Sequence, residues 1–204
     1  MEPAFYEEFP GISRLKIPFG TTYTSVFLLE NEGEAVLVDC ATTDEDVDGY
    51  ILPALAKKGY APADVKAIVL THRHNDHAGG LESLLTHAPQ MAVIAEVCTI
   101  WEGVHTYPLA GHTTDSIGVY DGRTRTLISG DGLQGAGVDK YPCSTKDKAA
   151  YLETIERIRC DETVENILFS HAYEPWLRDR SKGRDDVLER LEDCWQHVKE
   201  KEKL

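Results

Sequence analysis

The 204-residue chain has no run approaching the ~20 consecutive apolar residues that cross a bilayer, so no transmembrane helix and no membrane partner are expected. Its opening, MEPAFYEEFP, is acidic where a secretory signal is basic and then apolar, and export is not expected either. Cysteine is scarce: Cys40, Cys98, Cys143, Cys160 and Cys194 are odd in number and contain no C-x-x-C pair. That excludes a disulfide framework and a thiolate zinc site, and it suits a reducing cytoplasm. Positive charge is also in deficit. With 21 Lys+Arg against 35 Asp+Glu, the net charge of −14 repels a phosphate backbone, so nucleic acid is not an expected partner. No Gly/Ser linker, low-complexity tract or internal repeat divides the chain, and 42% hydrophobic with 27% charged residues is ordinary for a globular protein. A single domain over 1–204 is expected.

What is present is an alternation of strand and helix signals. Residues 24–30 and 34–39 are apolar and β-branched, and Asn31-Glu32-Gly33 between them predicts a hairpin. Residues 44–59 read as a helix that begins with acids and stops at Gly59. A short buried strand over 66–71 leads to a helix over 78–87 and a strand over 91–96. Residues 116–120 and 125–129 flank Asp121-Gly122-Arg123 as a second hairpin. A helix over 146–159, a strand over 165–170 and a terminal helix over 184–203 complete the pattern. Tyr151, Leu152, Ile155 and Ile158, with Leu188 and Leu191, are the expected core of the last two helices. Two sheets covered by helices follow.

The segment THRHNDHAGG (71–80) carries the chemistry. His72 and His74 project to one side if strand geometry persists past the preceding strand, because side chains alternate. Asp76 and His77, at the turn into a Gly-rich helix start, offer a second point with oxygen and nitrogen donors suited to zinc or iron. Four residues cannot close two metal sites. Further donors stand at the ends of later strands: His112 in GHT, Asp131 in SGD and His171 in SH.

In these motifs, THRHNDHAGG, GHTTDS, LISGD and FSHAYEP, with VDC (38–40) before them, the chain resembles the metallo-β-lactamase superfamily. The resemblance implies an α/β fold, the αββα sandwich of two mixed β-sheets flanked by helices. It also implies a dinuclear site, with His72, His74 and His112 on one ion, Asp76, His77 and His171 on the other, and Asp131 bridging. Asp39 then orders the ligand loop by hydrogen bonds rather than binding metal. Two divalent ions, zinc first with iron and manganese admitted by the same ligands, lower the pKa of a shared water and polarise the bond under attack. The implied activity is hydrolysis of a small ester, thioester or lactone by metal-bound hydroxide. Asp76 and Asp131 take part as ligands, and Tyr173, or Tyr141, donates a hydrogen bond to the developing oxyanion.

Within the superfamily the chain looks most like small glyoxalase II-like hydrolases, since Asp131 holds the bridging position where one branch of secreted β-lactamases has cysteine. Only about one helix follows His171, where true glyoxalase II enzymes carry a glutathione-gripping helical domain, so glutathione thioesters are not the favoured substrate. Two other readings stand beside this one: a mononuclear iron persulfide dioxygenase, and a non-catalytic metal-stabilised sensor or interaction domain. A monomer and a homodimer are both compatible with the sequence. His87, His105 and His197 read as surface or core histidines, and Cys143 as an unreactive thiol. GDGLQGAG (130–137) lacks the Lys-Ser/Thr of a phosphate loop.

Overall fold

A computed structural model describes residues 2–134, 147–172 and 178–200. Tyr141, Cys143 and Tyr173 lie outside the described residues. The chain forms two compact units, Met1–Ala95 and Glu96–Leu204, each built on one six-stranded mixed sheet. Among the described residues no helix is long and apolar enough to cross a membrane.

The first unit begins as an antiparallel meander of β1 (Tyr6–Phe9), β2 (Ile12–Phe19), β3 (Thr22–Asn31) and β4 (Glu34–Val38). The expected hairpin is β3–β4, and its turn places Glu32 and Gly33 at φ 49° and 85°, the paired left-handed conformation of a tight hairpin turn. β1 and β2 were not expected. ISRLKIPF mixes Arg14, Lys16 and Pro18 into its apolar pattern, yet only three of its residues are exposed, because neighbouring strands pair on both sides.

The helical stretch after β4 runs as expected to Gly59, whose φ of 88° ends it, but not as one regular helix. α1 (Asp44–Asp46) is closed by a capping box, in which Thr43 Oγ1 accepts from the Asp46 N–H and the Asp46 carboxylate accepts from the Thr43 N–H. A π-helical turn, Val47–Ile51, precedes α2 (Leu52–Lys58). Pro53 accounts for it: proline has no N–H to bond Gly49 four residues back, and its ring crowds that carbonyl. The crossover returns as β5 (Val65–Val69), parallel to β4, followed by α3 (Asn75–Ala78), α4 (Leu81–His87) and β6 (Ala92–Ile94). Leu15, Val26, Leu37 and Ile68 of the sheet pack with Ile51, Leu55 and Leu84 of the helices in one buried core.

The second unit repeats the plan with different connections. β7 (Thr99–Trp101), β8 (Val104–Pro108), β9 (Ile117–Asp121) and β10 (Thr126–Ile128) are antiparallel neighbours. α5 (Lys148–Cys160) then crosses over to β11 (Asn166–Leu168), parallel to β10, with β12 (Arg180–Lys182) antiparallel at the edge and α6 (Arg184–Glu200) closing the unit. Tyr151, Ile155 and Ile158 of α5 meet Val187 and Leu191 of α6 over Leu127 and Ile167. Leu152 and Leu188 differ from expectation in being only half-buried, and on α6 it is Val187 that joins Leu191 in the core.

Candidate functional site

The parallel register Val38↔Val69 brings the ends of β4 and β5 side by side, and the segments that leave them are tied together by one carboxylate. Asp39 is fully buried and left-handed, at φ 62°, with Ala41 at φ 60° two residues on. That conformation is costly for residues with a Cβ and is held only by surrounding contacts. Asp39 Oδ1 accepts from the Thr71 N–H at 2.8 Å, while Oδ2 accepts from Thr71 Oγ1 at 2.8 Å and faces His77 Nδ1 at 2.7 Å. The expected hydrogen-bonding role of Asp39 is therefore visible as three contacts.

β5 stops at Val69, so strand alternation does not aim His72 and His74 as the sequence pattern suggested. Both lie on the loop before α3, and their rings still meet edge-on, 4.6 Å apart. The His72 and His77 rings are 4.2 Å apart, and Asp76 Oδ2 stands 3.5 Å from His77 Nε2. The short helix carrying Asp76 and His77 is anchored by its backbone. Thr24 Oγ1 donates to the Asp76 carbonyl at 2.9 Å, the Cys40 N–H to that of His77 at 2.8 Å, and the Gly79 N–H to that of Ala41 at 3.0 Å. A Cβ on Gly79 would lie 2.0 Å from the Thr42 carbonyl oxygen, and one on Gly80 2.4 Å from that of Cys40. The Gly-Gly that closes the motif is thus a packing requirement.

In the second unit the donors come from three loops gathered by the strand order. Parallel pairing of Ile128 with Leu168 carries Asp131 and His171, each three residues further on, out of the same end of the sheet. β9 runs antiparallel to β10, so the β8–β9 loop with His112 emerges there too. His171 Nε2 lies 3.3 Å from Asp131 Oδ1, and His112 Nε2 lies 3.7 Å from Asp131 Oδ2. Each carboxylate oxygen faces a different imidazole, and all three residues are buried. α5 clamps the His112 loop: Thr154 Oγ1 donates to the Ala110 carbonyl at 2.8 Å, Arg157 Nη1 to that of Pro108 at 2.9 Å, and the Asp147 N–H to that of Gly111 at 3.4 Å. Gly111, at φ 142°, leaves room that a Cβ would take 2.6 Å from Tyr151.

These histidine and aspartate groups could hold metal ions. Asp39 can only accept, so His77 Nδ1 is the donor of this contact; in a neutral imidazole, Nε2, beside Asp76, then carries the lone pair. Cys40 Sγ lies 3.4 Å from the His77 carbonyl, but burial and the adjacent Asp39 charge push its thiol up, away from a nucleophile. Two histidines lie apart from these donors. His87 pairs with Asp48 at the surface at 3.1 Å, and His105 lies beside the rings of Tyr107 and Tyr120. Sequence reasoning did not single out Thr71 or the α5 contacts. Thr71 had a local signal, a hydroxyl directly before the first histidine of the motif, whereas Thr154 and Arg157 had none.

The sequence model of the metallo-β-lactamase superfamily matches residues 19–96. A hydroxyacylglutathione hydrolase of Pectobacterium carotovorum is 31% identical over 182 residues, covering 76% of this chain and 68% of the relative. A β-lactamase-like protein 2 homolog of Drosophila melanogaster is 29% identical over 164 residues, 66% of this chain and 54% of its own length. The chain thus spans roughly half to two thirds of such relatives (54% and 68%). Among solved structures, a metallo-β-lactamase of Erythrobacter litoralis superposes with a TM-score of 0.71 at 20% identity, covering 93% of this chain and 96% of that one. A metallo-β-lactamase of Pseudomonas aeruginosa in a mono-zinc form gives 0.73 at 16% identity, with 96% of each chain covered. At such identities the likeness speaks to the fold, and the expected class of two mixed sheets with flanking helices is the one found. Motifs, strand order and sequence likeness converge: the chain belongs to the metallo-β-lactamase superfamily.

Proposed function

We propose that this chain is a metal-dependent hydrolase of a small ester, thioester or lactone. In this reading His72, His74 and His112 would hold one divalent ion, Asp76, His77 and His171 would hold a second, and Asp131 would serve both. The observation that carries it is the Asp131 carboxylate, whose two oxygens face two different imidazole nitrogens at 3.3 and 3.7 Å. Nitrogen and oxygen donors of this kind suit zinc, and equally iron or manganese. Divalent ions bound there supply Lewis acidity and bring the ionisation of water toward neutral pH.

The chain's own residues do the positioning. Asp39 accepts a hydrogen bond from the Nδ1–H of His77, so that a neutral imidazole presents its Nε2 lone pair to an ion. α5 holds the His112 loop through the carbonyls of Pro108 and Ala110, and Asp131 is seated by the turn that follows β10, where the Gly132 N–H donates to the Ser129 carbonyl at 3.0 Å. A buried, hard-to-ionise Cys40 is unsuited to attack as a thiolate. The relative named a hydroxyacylglutathione hydrolase supports a thioester within the substrate range.

The test is metal analysis of purified protein together with turnover on a panel of esters, thioesters and lactones. Two ions per chain, activity abolished by chelation and restored by zinc, and loss of both metal and turnover in Asp131→Ala are expected. Full metal content and turnover in Asp131→Ala, or one iron per chain with oxygen consumed on a persulfide, would overturn the proposal.

A further inference from the structure

We propose that Thr71 is a positioning residue whose hydroxyl fixes the tautomer of His72, so that one buried carboxylate, Asp39, decides which ring nitrogen both His72 and His77 present. The inference rests on the metal-ligand reading above, in which both histidines are ligands, and adds how their nitrogens are chosen. Asp39, Thr71, His72 and His77 are all at most 2% exposed, so water does not compete for their protons.

For neutral imidazoles, proton accounting leaves one arrangement. The carboxylate of Asp39 has no proton to give, so the 2.8 Å contact between Thr71 Oγ1 and Asp39 Oδ2 uses the single hydroxyl proton of Thr71. The same oxygen also lies 3.2 Å from His72 Nδ1. With its proton already given to Asp39, Thr71 Oγ1 can only accept from His72, and the imidazole therefore carries its proton on Nδ1. His72 Nε2 is left as the lone pair. His77 reaches the same state directly, through its 2.7 Å contact with Asp39 Oδ2. The Thr71 N–H, bonded to Oδ1 at 2.8 Å, prevents the carboxylate from rotating out of both relationships. A hydroxyl at position 71 is what extends the reach of Asp39 from one histidine to two.

The experiment records long-range 1H–15N spectra of the metal-free full chain labelled at histidine, at a pH about two units above the ordinary imidazole pKa of ~6.5. The His72 signal is assigned by its absence in His72→Ala. The wild type and Thr71→Ser are expected to show His72 with its proton on Nδ1, whereas Thr71→Val admits the Nε2–H form. In zinc competition Thr71→Val is expected to bind at least ~10-fold more weakly, and Thr71→Ser to match the wild type. An Nε2–H tautomer for His72 in the wild type would overturn the proposal without any substitution at position 71. So would a Thr71→Val chain with unchanged tautomer and zinc affinity. Should the wild type bind no divalent ion, the function proposed above fails, and the tautomer spectrum alone then decides the role of Thr71.

Discussion

The two units support their candidate ligands in opposite ways. In the first, four donors sit within six consecutive residues, and beside the backbone contacts of α3 the side-chain hydrogen bonds to Thr71 and His77 converge on the single carboxylate of Asp39. In the second, three donors sit on three loops, and support is spread along α5. That helix touches the His112 loop at Asp147, Thr154 and Arg157, and Asp161 at its C-terminal end accepts from the Tyr107 hydroxyl at 3.2 Å. A donor cluster close in sequence can share one anchor, because a rigid loop carries every side chain with it. Donors distant in sequence need strand register to bring them near and several separate contacts to hold them.

The sharpest way to break this contrast is to remove the anchor. Asp39→Ala leaves three buried donors without their acceptor, and a loss of about 4 kcal/mol in urea unfolding of the full chain is expected. A loss below ~1 kcal/mol would show that the support of the first unit is not concentrated there. The distributed clamp should yield more gently. Asp147 caps α5 by accepting from the Ala150 N–H at 3.0 Å, and Asp147→Ala is expected to cost about 1 kcal/mol in the same measurement, with the other α5 contacts keeping the His112 loop in place. A cost equal to that of Asp39→Ala would erase the distinction.

The smallest effect concerns the far end of the clamp. Burial, reinforced by the Asp161 carboxylate, pushes the Tyr107 phenol up to about 12, above the ~10 of an exposed tyrosine. Because the folded value is the higher one, this contribution is fully present below pH ~10 and is lost as pH rises toward about 12. Urea midpoints of the wild type should therefore fall more steeply than those of Tyr107→Phe between these two values. Parallel curves would mean that the Tyr107–Asp161 contact does not hold α5 to β8.

Legibility in the sequence divided along the same line. THRHNDHAGG was readable because its donors are local and because a buried strand before it and paired glycines after it leave a composition signal. The β3–β4 hairpin and the stop at Gly59 were readable for the same reason: turn and cap chemistry depends on a few adjacent residues. The end of β5 at Val69 was not, since its pairing with β4 and β6 sets where the strand stops. Nor were β1 and β2, whose charged and proline residues obscure a pattern that pairing on both sides of β2 overrides.

By itself the sequence determined which residue types could bind metal, their order, and the alternation of strands and helices, all consequences of short-range preference and side-chain chemistry. Only the tertiary structure decided that Asp39 governs Thr71 and His77, respectively 32 and 38 residues away, and that Thr154 reaches back 44 residues to Ala110. It also decided that Asp131 and His171 leave the same end of their sheet. Such relations depend on the register of parallel strands joined by crossovers, and register is set by which buried surfaces fit together, a property no local stretch of chain carries.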